Sequence, residues 1–597
     1  MGLWNDDELA LGHRRLAIIG LEAEGRQPRL RQNGDSVLIF NGEIYNYLEL
    51  ANELEAAGHP VDRRFDTDVL QAALEAWGVG ALERLNGMFA LAWYRPRAKR
   101  LVLARDRWGK KPLFWGRVPV GAQHHPALVF GSELRLFTHL PGGPPPPNPL
   151  GVARYLLYGG MPGTETVYRG VHKVGAAAWI ELDPTGTVLA EGRYWTFRRR
   201  PQAMSLDHAV ERCESLVLDA LRLRLRSDVP VGLFLSGGID SSLLAWAWQK
   251  IAPQTPISTF TVGFDDPSYD ERRFAAEMAD RVGSRHLAVV VDEPRLLEEL
   301  DRVWQHLDEP FADASVVPTS LVSRIAAEHV RVAIGGDGGD EHQAGYDPFR
   351  AWMPARWLRG ALGPLAAPLV RGLERLSPIS DRNLSLRFKL HHFGRGLGLP
   401  PPTRLQGWLA PFAPGDLGRI LDPDLAVGLD LDEVLEPTRL AYQAHQPQGD
   451  LSAQIEMWVA TYLETAILTK VDRASMMHSL EVRAPFLDPA LTEFFAELPD
   501  ELVFHRGRGK VLLRALAKRH LPPALAHRPK KGFGIPVGRW LRTALRPRVE
   551  ACLDRREPDG WFNRDAIRAM WQAHLDRRGE YRQELWAYLM SFPFRSG

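Results

Sequence analysis

The rhythm of hydrophobic and polar positions changes twice along the chain. Over the first two hundred residues the apolar runs are short and bounded by Gly, Asn and Pro: VLIFNGEIYNY (37–47), MFALAWY (88–94), RLVLARD (100–106) and ALVFGSE (127–133). Runs of that length between turn residues predict antiparallel strands stacked as a sandwich. LPGGPPPPNPL (140–150) predicts an exposed loop, because proline lacks a donor and fixes φ. EGRYWTFRRRPQAMS (191–205) then turns polar and basic, which sets a boundary between a region 1–198 and a region 206–590.

Beyond that boundary strand-like runs alternate with helical ones: VGLFLSGG (231–238), STFTVGF (258–264), HLAVVVD (286–292) and RVAIGGD (331–337). The alternation predicts a parallel sheet covered by helices on both faces. Past residue 350 the pattern becomes helical. Ile455, Trp458, Val459, Tyr462, Leu463 and Ile467 keep the i, i+3, i+4, i+7 spacing of one apolar helix face directed at the core.

Two of the strand ends carry the chemistry. Val229, Val231, Leu233 and Leu235 read as a buried strand and Leu243, Leu244 and Trp246 as the following helix, with SGGIDSS (236–242) between them. A strand that empties through small residues into a helix start gathers backbone N–H groups and the positive helix end at one point, which suits phosphate. Gly237 and Gly238 permit close approach, and Ser236, Ser241 and Ser242 add hydroxyl donors. Asp240 would repel an anion there unless a divalent cation, Mg²⁺, lies between them. The loop lacks the lysine of a Walker A motif. A second run, VAIGGDGGDE (332–341), repeats the design with Gly335, Gly336, Asp337, Asp340 and Glu341. Two such loops predict a nucleotide gripped from two sides, against the plainer reading of one glycine-rich turn and one acidic surface turn.

Composition narrows the class. Of 597 residues, 45% are hydrophobic and 25% charged, and 74 basic side chains against 73 acidic ones leave a net charge of +1. These are values of an ordinary globular protein of more than one domain, and no nucleic-acid or membrane partner is implied. The two cysteines, Cys213 and Cys552, exclude a disulfide framework and a multi-cysteine zinc site and fit a cytoplasmic location.

The chain resembles glutamine-dependent asparagine synthetases. SGGIDSS, LDEPFADASVVPTS (307–320), GGDGGDE (335–341), VDRASMMHSLEVRAPFLD (471–488) and RPKKGF (528–533) look like the synthetase domain. HRRL (13–16), GRQP (25–28), NGEIYNY (41–47), FDTDVL (65–70), LNGMFALA (85–92), ARDRWGKKPLF (104–114) and FGSEL (130–134) look like the N-terminal glutaminase. The resemblance implies an α/β and α+β molecule: a glutaminase sandwich of the N-terminal-nucleophile type, then a parallel-sheet ATP pyrophosphatase domain with a helical C-terminal part. It implies ATP and Mg²⁺, small-molecule substrates (aspartate or another acid, glutamine or ammonia), and is compatible with a homodimer. ATP would adenylate aspartate, and ammonia would attack the acyl-adenylate to give asparagine.

Residue by residue, the resemblance assigns ATP and pyrophosphate binding to Phe234, Ser236, Gly237, Gly238, Asp240, Ser241, Val262, Gly335 and Gly336, and the metal to Asp240 and Asp340. Catalytic roles fall to Lys530, Asp337 and Tyr346. Arg473 and Arg483 read either as substrate ligands or as structural ion pairs. Glutamine binding falls to Arg15, Ile19, Asn41, Gly42, Glu43 and Asp66; without the resemblance, Asn41-Gly42-Glu43 reads as a hairpin turn. In that site Arg15 can pair a carboxylate bidentately, and Asp66 or Glu43 can accept from an ammonium.

The sequence departs from the family at three places. Family members usually have Ser where Gly335 stands, and LFGGY or similar where this chain has Glu341-His342-Gln343-Ala344-Gly345-Tyr346, so the loop beside the acceptor is altered. They also begin Met-Cys-Gly, the cysteine being the glutaminase nucleophile, whereas this chain begins Met-Gly-Leu-Trp. The expectation is a first domain lacking its N-terminal strands through a misplaced start or a truncation, no glutamine hydrolysis by the chain as written, and ammonia as its nitrogen source. Competing readings are a β-lactam synthetase or lasso-peptide cyclase relative, a nucleotide-dependent RNA-thiolating enzyme, which would need reactive cysteines and a basic face, and a nucleotide-binding scaffold without catalysis.

Overall fold

Alternation along single strands explains how the N-terminal region is layered. In this computed structural model, Val37–Ile44 pairs antiparallel with Gly87–Arg95, and Gly87–Arg95 pairs with Arg100–Arg105. Leu38, Phe40, Leu91 and Trp93 face helices Tyr47–Ala56 and Asp66–Trp77. Val37, Ala90, Ala92 and Tyr94 face the other way, toward Trp115, Leu128 and Phe130 of a second sheet. A period of two thus gives one sheet two apolar faces. The six-stranded sheet is completed by Ala178–Leu182 and Val188–Arg193 on one side and Arg29–Leu30 on the other. The three-stranded sheet has Phe114–Val120 at its centre, and Gly2–Asn5 pairs with Ala10–His13 as a separate hairpin. The structure describes all residues except 32–33, 121–124, 142, 445–448, 529–531, 533, 556–559 and 596–597.

Two expectations for this region need correction. Asn41, Gly42 and Glu43 form no hairpin turn; they lie inside strand Val37–Ile44, opposite Ala90, Phe89 and Met88. The proline-rich run is not loop to its end, because Pro149 and Leu150 open helix Pro149–Tyr158. Proline suits that first position, where no intrahelical donor is needed.

The second region is built on five parallel strands in the order Arg285–Val291, Ser258–Phe264, Val231–Phe234, Val332–Ile334, Glu481–Arg483. The chain lays down the central strand, extends the sheet to one side, then crosses back to its other neighbour. The switch falls between Val231–Phe234 and Val332–Ile334, where Leu233 opposes Ile334. Loops leaving adjacent strands at such a point diverge and leave a crevice. SGGIDSS and GGDGGDE are those two loops. Strand Glu481–Arg483 was not foreseen, since two of its three residues are charged; they pair with each other at 2.8 Å within the buried edge of the sheet.

The C-terminal half is helical as expected, with one change of winding. Helix Asp450–Trp458 continues into Val459–Leu468, whose turns are wider than α, before Thr469–Met476 resumes the α-helix. Ile455, Trp458, Val459, Leu463 and Ile467 are buried as the spacing predicts, but so are Thr461, Thr465 and Leu468. The wider turns bring Tyr462, Ala466, Ile467 and Lys470 to the wall of one cavity. No helix among the described residues is long and apolar enough to cross a membrane.

Candidate active site

A cavity of about 1030 Å³ opens where the two glycine-rich loops leave the sheet. In the first loop the serines organise the backbone: the Ser241 hydroxyl accepts from Ser236 N–H at 3.2 Å, and Ser236 Oγ accepts from Gly238 N–H at 3.2 Å. Helix Ile239–Ile251 starts directly behind them, so its positive end faces the cavity. Gly237 has φ +66°, and a Cβ there would lie 2.5 Å from the backbone carbon of Phe274. No other residue fits that position without moving a neighbouring helix. Phe234 and Val262, at the ends of neighbouring strands, line the cavity together with Phe260.

Glycines in the second loop let it close on the first. A Cβ on Gly336 would stand 3.2 Å from Asp240 Cβ, and one on Gly339 would stand 2.9 Å from the Asp240 carboxyl carbon. A Cβ on Gly335 would lie 3.1 Å from Asp337 Oδ2, so the residue usual in the family at that position would crowd the acid. Asp240 and Asp340 converge on one point, which the Lys510 ammonium occupies: it pairs with Asp240 and, at 2.6 Å, with Asp340. Lys510 sits at φ +58° ahead of helix Val511–His520, held by its own N–H donating to Gln343 O at 2.7 Å. Sequence reading missed this residue. Its only local signal is the basic turn Arg506-Gly507-Arg508-Gly509-Lys510, which says nothing about partners 170 and 270 residues away.

Two hard oxygen ligands aimed at a single cationic point fit Mg²⁺. Beside them Glu341 is buried; its Oε2 accepts from Gly338 N–H at 2.9 Å and its Oε1 from the Tyr346 hydroxyl at 2.5 Å. Burial, and then the Asp340 charge, push the Glu341 carboxyl up to about 7. Asp337 lines the same wall, and burial raises its pKa against the opposing pull of Lys110 and Lys470. Lys470 is tethered to Asp313 at 3.2 Å. Lys530 and its neighbour Lys531 lie outside the described residues.

Several expected placements change. His342 and Gln343 do not line the cavity. The His342 ring packs edge-on against Trp108 and Phe197 at 5.1 and 4.9 Å, where burial keeps it neutral with a pKa of about 4. The altered loop therefore lines the cavity only through Glu341 and Tyr346. Arg473 and Arg483 take the structural role. Arg473 pairs with Asp308 at 3.0 Å. Arg483 is fully buried, pairs with Glu481 and with Glu43 of the first region at 3.4 Å, and donates to the carbonyls of Arg224 and Arg226.

A smaller cavity, about 320 Å³, collects Arg15, Ile19, Asn41, Gly42, Glu43 and Asp66. Gly42 has φ +151°, and a Cβ there would meet Met88 O at 2.0 Å. Asn41 donates to Ser132 Oγ at 3.2 Å, and the Arg15 guanidinium to Ile19 O at 2.5 Å. Asp66 Oδ2 accepts from Ile44 N–H at 3.1 Å, and burial raises its pKa. Burial first, and then the Asp66 charge, push Glu43 well above the usual carboxylate range. Neither cysteine is near: Cys213 is buried in helix Leu206–Arg224 and Cys552 in helix Arg546–Leu553.

Comparison with known proteins places both regions. A model of the asparagine synthase family matches residues 212–593, and a glutamine amidotransferase domain model matches residues 1–195. The chain is 28% identical to asparagine synthetase [glutamine-hydrolyzing] 1 of Bacillus subtilis (strain 168), over 100% of this chain and 90% of the relative. It is 30% identical to a putative asparagine synthetase [glutamine-hydrolyzing] of Mycobacterium tuberculosis (strain ATCC 25618 / H37Rv), over 98% and 88%. A fungal protein named amidase chry2, from Gibberella zeae, is 26% identical over 92% and 84%. With an amidotransferase sandwich leading into a parallel sheet whose switch point carries both glycine loops, the chain belongs to the glutamine-hydrolysing asparagine synthetase family.

Proposed function

We propose that the protein activates a carboxylate with ATP and converts it to an amide. A carboxylate oxygen attacks the α-phosphorus, the bond to the β-phosphate breaks, and pyrophosphate leaves. Ammonia then attacks the acyl carbon of the acyl-adenylate and AMP departs. The observation that carries this reading is the approach of the two loops, with Asp240 seated against Gly336 and Gly339. Backbone N–H groups and hydroxyls of Ser236, Gly237, Gly238 and Ser241 suit the departing pyrophosphate. Phe234 and Val262 suit the adenine, and Gly335 and Gly336 approach the nucleotide from the other side.

Mg²⁺ held by Asp240 and Asp340 would neutralise charge growing on the leaving group. Lys530 from RPKKGF would add a point charge there, and Lys510 holds the two acids together beforehand. Asp337 and the Glu341–Tyr346 pair flank the acceptor side. The Tyr346 hydroxyl donates to Glu341, and burial raises its pKa, so the phenol keeps its proton and is fixed in place.

The names of the bacterial relatives favour aspartate as the acceptor and asparagine as the product. A different carboxylate is the second reading, favoured by the changed residues around Glu341 and by a relative named amidase. For the 597-residue chain ammonia is the expected nitrogen source, because neither cysteine lines the glutamine cavity. A scaffold without catalysis would not need the acids around Lys510 to be intact.

Acid-dependent exchange of labelled pyrophosphate into ATP tests the reading. Exchange that needs both Mg²⁺ and a carboxylic acid supports it, and acid-dependent release of ADP and orthophosphate overturns it. Release of ammonia from glutamine by the same 597-residue protein would overturn the nitrogen assignment alone.

A further inference from the structure

Two neighbouring helices of the C-terminal half carry more apolar surface than the core uses. Helix Asp347–Leu362 passes through a tight turn, Gly363–Leu365, into helix Ala366–Leu376. The inner side of the second helix is packed: Ala366, Ala367 and Val370 are buried, and Val370 lies close to Gly394 of helix Leu386–Leu397. That third helix gives Phe388, Leu390 and Phe393 to a helical wall of the large cavity. Trp352 and Ala355 do the same inward work for the first helix.

The outer side is apolar as well. Leu365, Leu369, Leu373 and Leu376 are spaced four, four and three residues apart, so they share one side of the helix. All four are exposed, Leu376 to 84%. On the first helix Met353 and Trp357, one turn apart, are exposed too, Trp357 to 73%. A second apolar face on a helix whose first face is already buried marks an interaction surface.

Charge says what kind of partner it meets. The net charge of +1 for the whole chain conceals a local excess: residues 350–376 hold five arginines and one acid, Glu374. Glu374 is turned inward to His391, at 2.9 Å. Arg350 and Arg356 are answered by Asp347 and Asp450. Arg371 and Arg375 are exposed beside the leucines, and Arg387 joins them at the end of the helix, where it donates to Ser377 O at 2.8 Å. A second copy of the chain meeting this face across a two-fold axis would set these arginines against their own equivalents. An anionic surface is met by them favourably. Leucines that can enter the acyl boundary, a tryptophan at headgroup level and arginines for lipid phosphates are the composition of a helix lying in the plane of a membrane interface.

We propose that the outer face of helices Asp347–Leu362 and Ala366–Leu376 docks on a membrane surface rich in anionic lipid headgroups. The attachment is peripheral, with Leu369 and Leu373 at its centre and Arg371 and Arg375 setting its charge preference. It does not depend on the adenylation reading above.

The test is co-sedimentation of the full chain with vesicles of phosphatidylcholine alone or with about one-third phosphatidylglycerol. Partition onto the anionic vesicles is expected to be at least about tenfold stronger and to weaken with added salt. Leu369→Glu/Leu373→Glu removes the apolar anchor, and Arg371→Glu/Arg375→Glu reverses the charge. Each double variant is expected to lose at least about tenfold in partition, and because all four side chains are exposed its melting temperature should stay near that of the wild type. Thermal melting reports which variant is folded, and either one alone suffices. Wild-type protein that stays in the supernatant, equal binding to both kinds of vesicle, or undiminished binding by a folded variant would overturn the proposal. So would self-association without vesicles that Leu369→Glu/Leu373→Glu abolishes, which would assign the face to a second copy.

Discussion

The two cavities of this molecule are built on opposite plans. The larger one forms between loops at a switch point of a parallel sheet, and its convergent acids are held by a lysine that arrives from far along the chain. The smaller one is set into the body of an antiparallel strand, and its polar groups are tied to neighbouring backbone or buried toward protonation. Loop ends can yield to a ligand, whereas a strand interior cannot. The same residue type therefore does different work at different places: Gly339 in the second loop of the large cavity leaves room for a side-chain tip, whereas Gly42 in the small cavity, like Gly237 in the first loop, leaves room for backbone.

That contrast is sharpest in Gly42→Ala. With φ +151° and Met88 O at 2.0 Å from a new Cβ, the substitution opposes two rigid groups and strains the strand pair. A loss of about 4 kcal/mol in unfolding free energy is expected, read by urea denaturation. A loss below about 1 kcal/mol would mean the strand can shift and that the two plans differ less than stated.

Next in size is Lys510→Met, which leaves Asp240 and Asp340 facing each other. Removing one member of a buried charge cluster costs about 3–5 kcal/mol, so the melting temperature should fall in the absence of divalent ions. Added Mg²⁺ should raise it more in the variant than in the wild type, because the ion then meets two acids with no resident cation. Equal Mg²⁺ shifts in both proteins would argue against a shared point between the two carboxylates.

Gly339→Ala is the counterpart of the glycine change in the strand. Its Cβ would press on a carboxylate tip, which can move, so the fold should hold within about 1 kcal/mol. Exchange activity should fall about a hundredfold, the usual effect of misplacing a reacting group by about 1 Å. Activity close to wild type would show that the Asp240 position is not critical.

The smallest effect concerns the helical wall of the large cavity. His391 lies 2.9 Å from Glu374 and 3.8 Å from Glu584. Burial lowers its pKa, but the hydrogen bonds to the two glutamates outweigh burial and push it up to about 9. Because the folded value exceeds the unfolded one near 6.5, the stabilisation is complete below pH 6.5 and lost as pH rises through 9. About 2 kcal/mol of pH-dependent stability across that window should be absent in His391→Gln, as chemical denaturation at several pH values would reveal.

The sequence carried the large cavity further than the small one. SGGIDSS and GGDGGDE are contiguous, so strand, turn and helix start could be read together, and parallel neighbouring strands brought the loops side by side. Lys510 was hidden because its meaning is entirely long-range. Strand Glu481–Arg483 was hidden because a buried ion pair replaces the apolar signature of a strand. In the small cavity, Asn41-Gly42-Glu43 looks locally like a turn, and only its antiparallel partners reveal a strand interior. His342 stood beside a functional run yet packs into an aromatic core, which sequence adjacency alone could not distinguish.

The most direct test of the central claim follows oxygen. The carboxylic acid that supports exchange, with aspartate tried first, is labelled with ¹⁸O in its carboxylate and incubated with the protein, MgATP and ammonium, and the products are weighed by mass spectrometry. Attack on the α-phosphorus predicts one labelled oxygen in AMP and none in pyrophosphate. Label in orthophosphate, accompanied by ADP, would contradict the account.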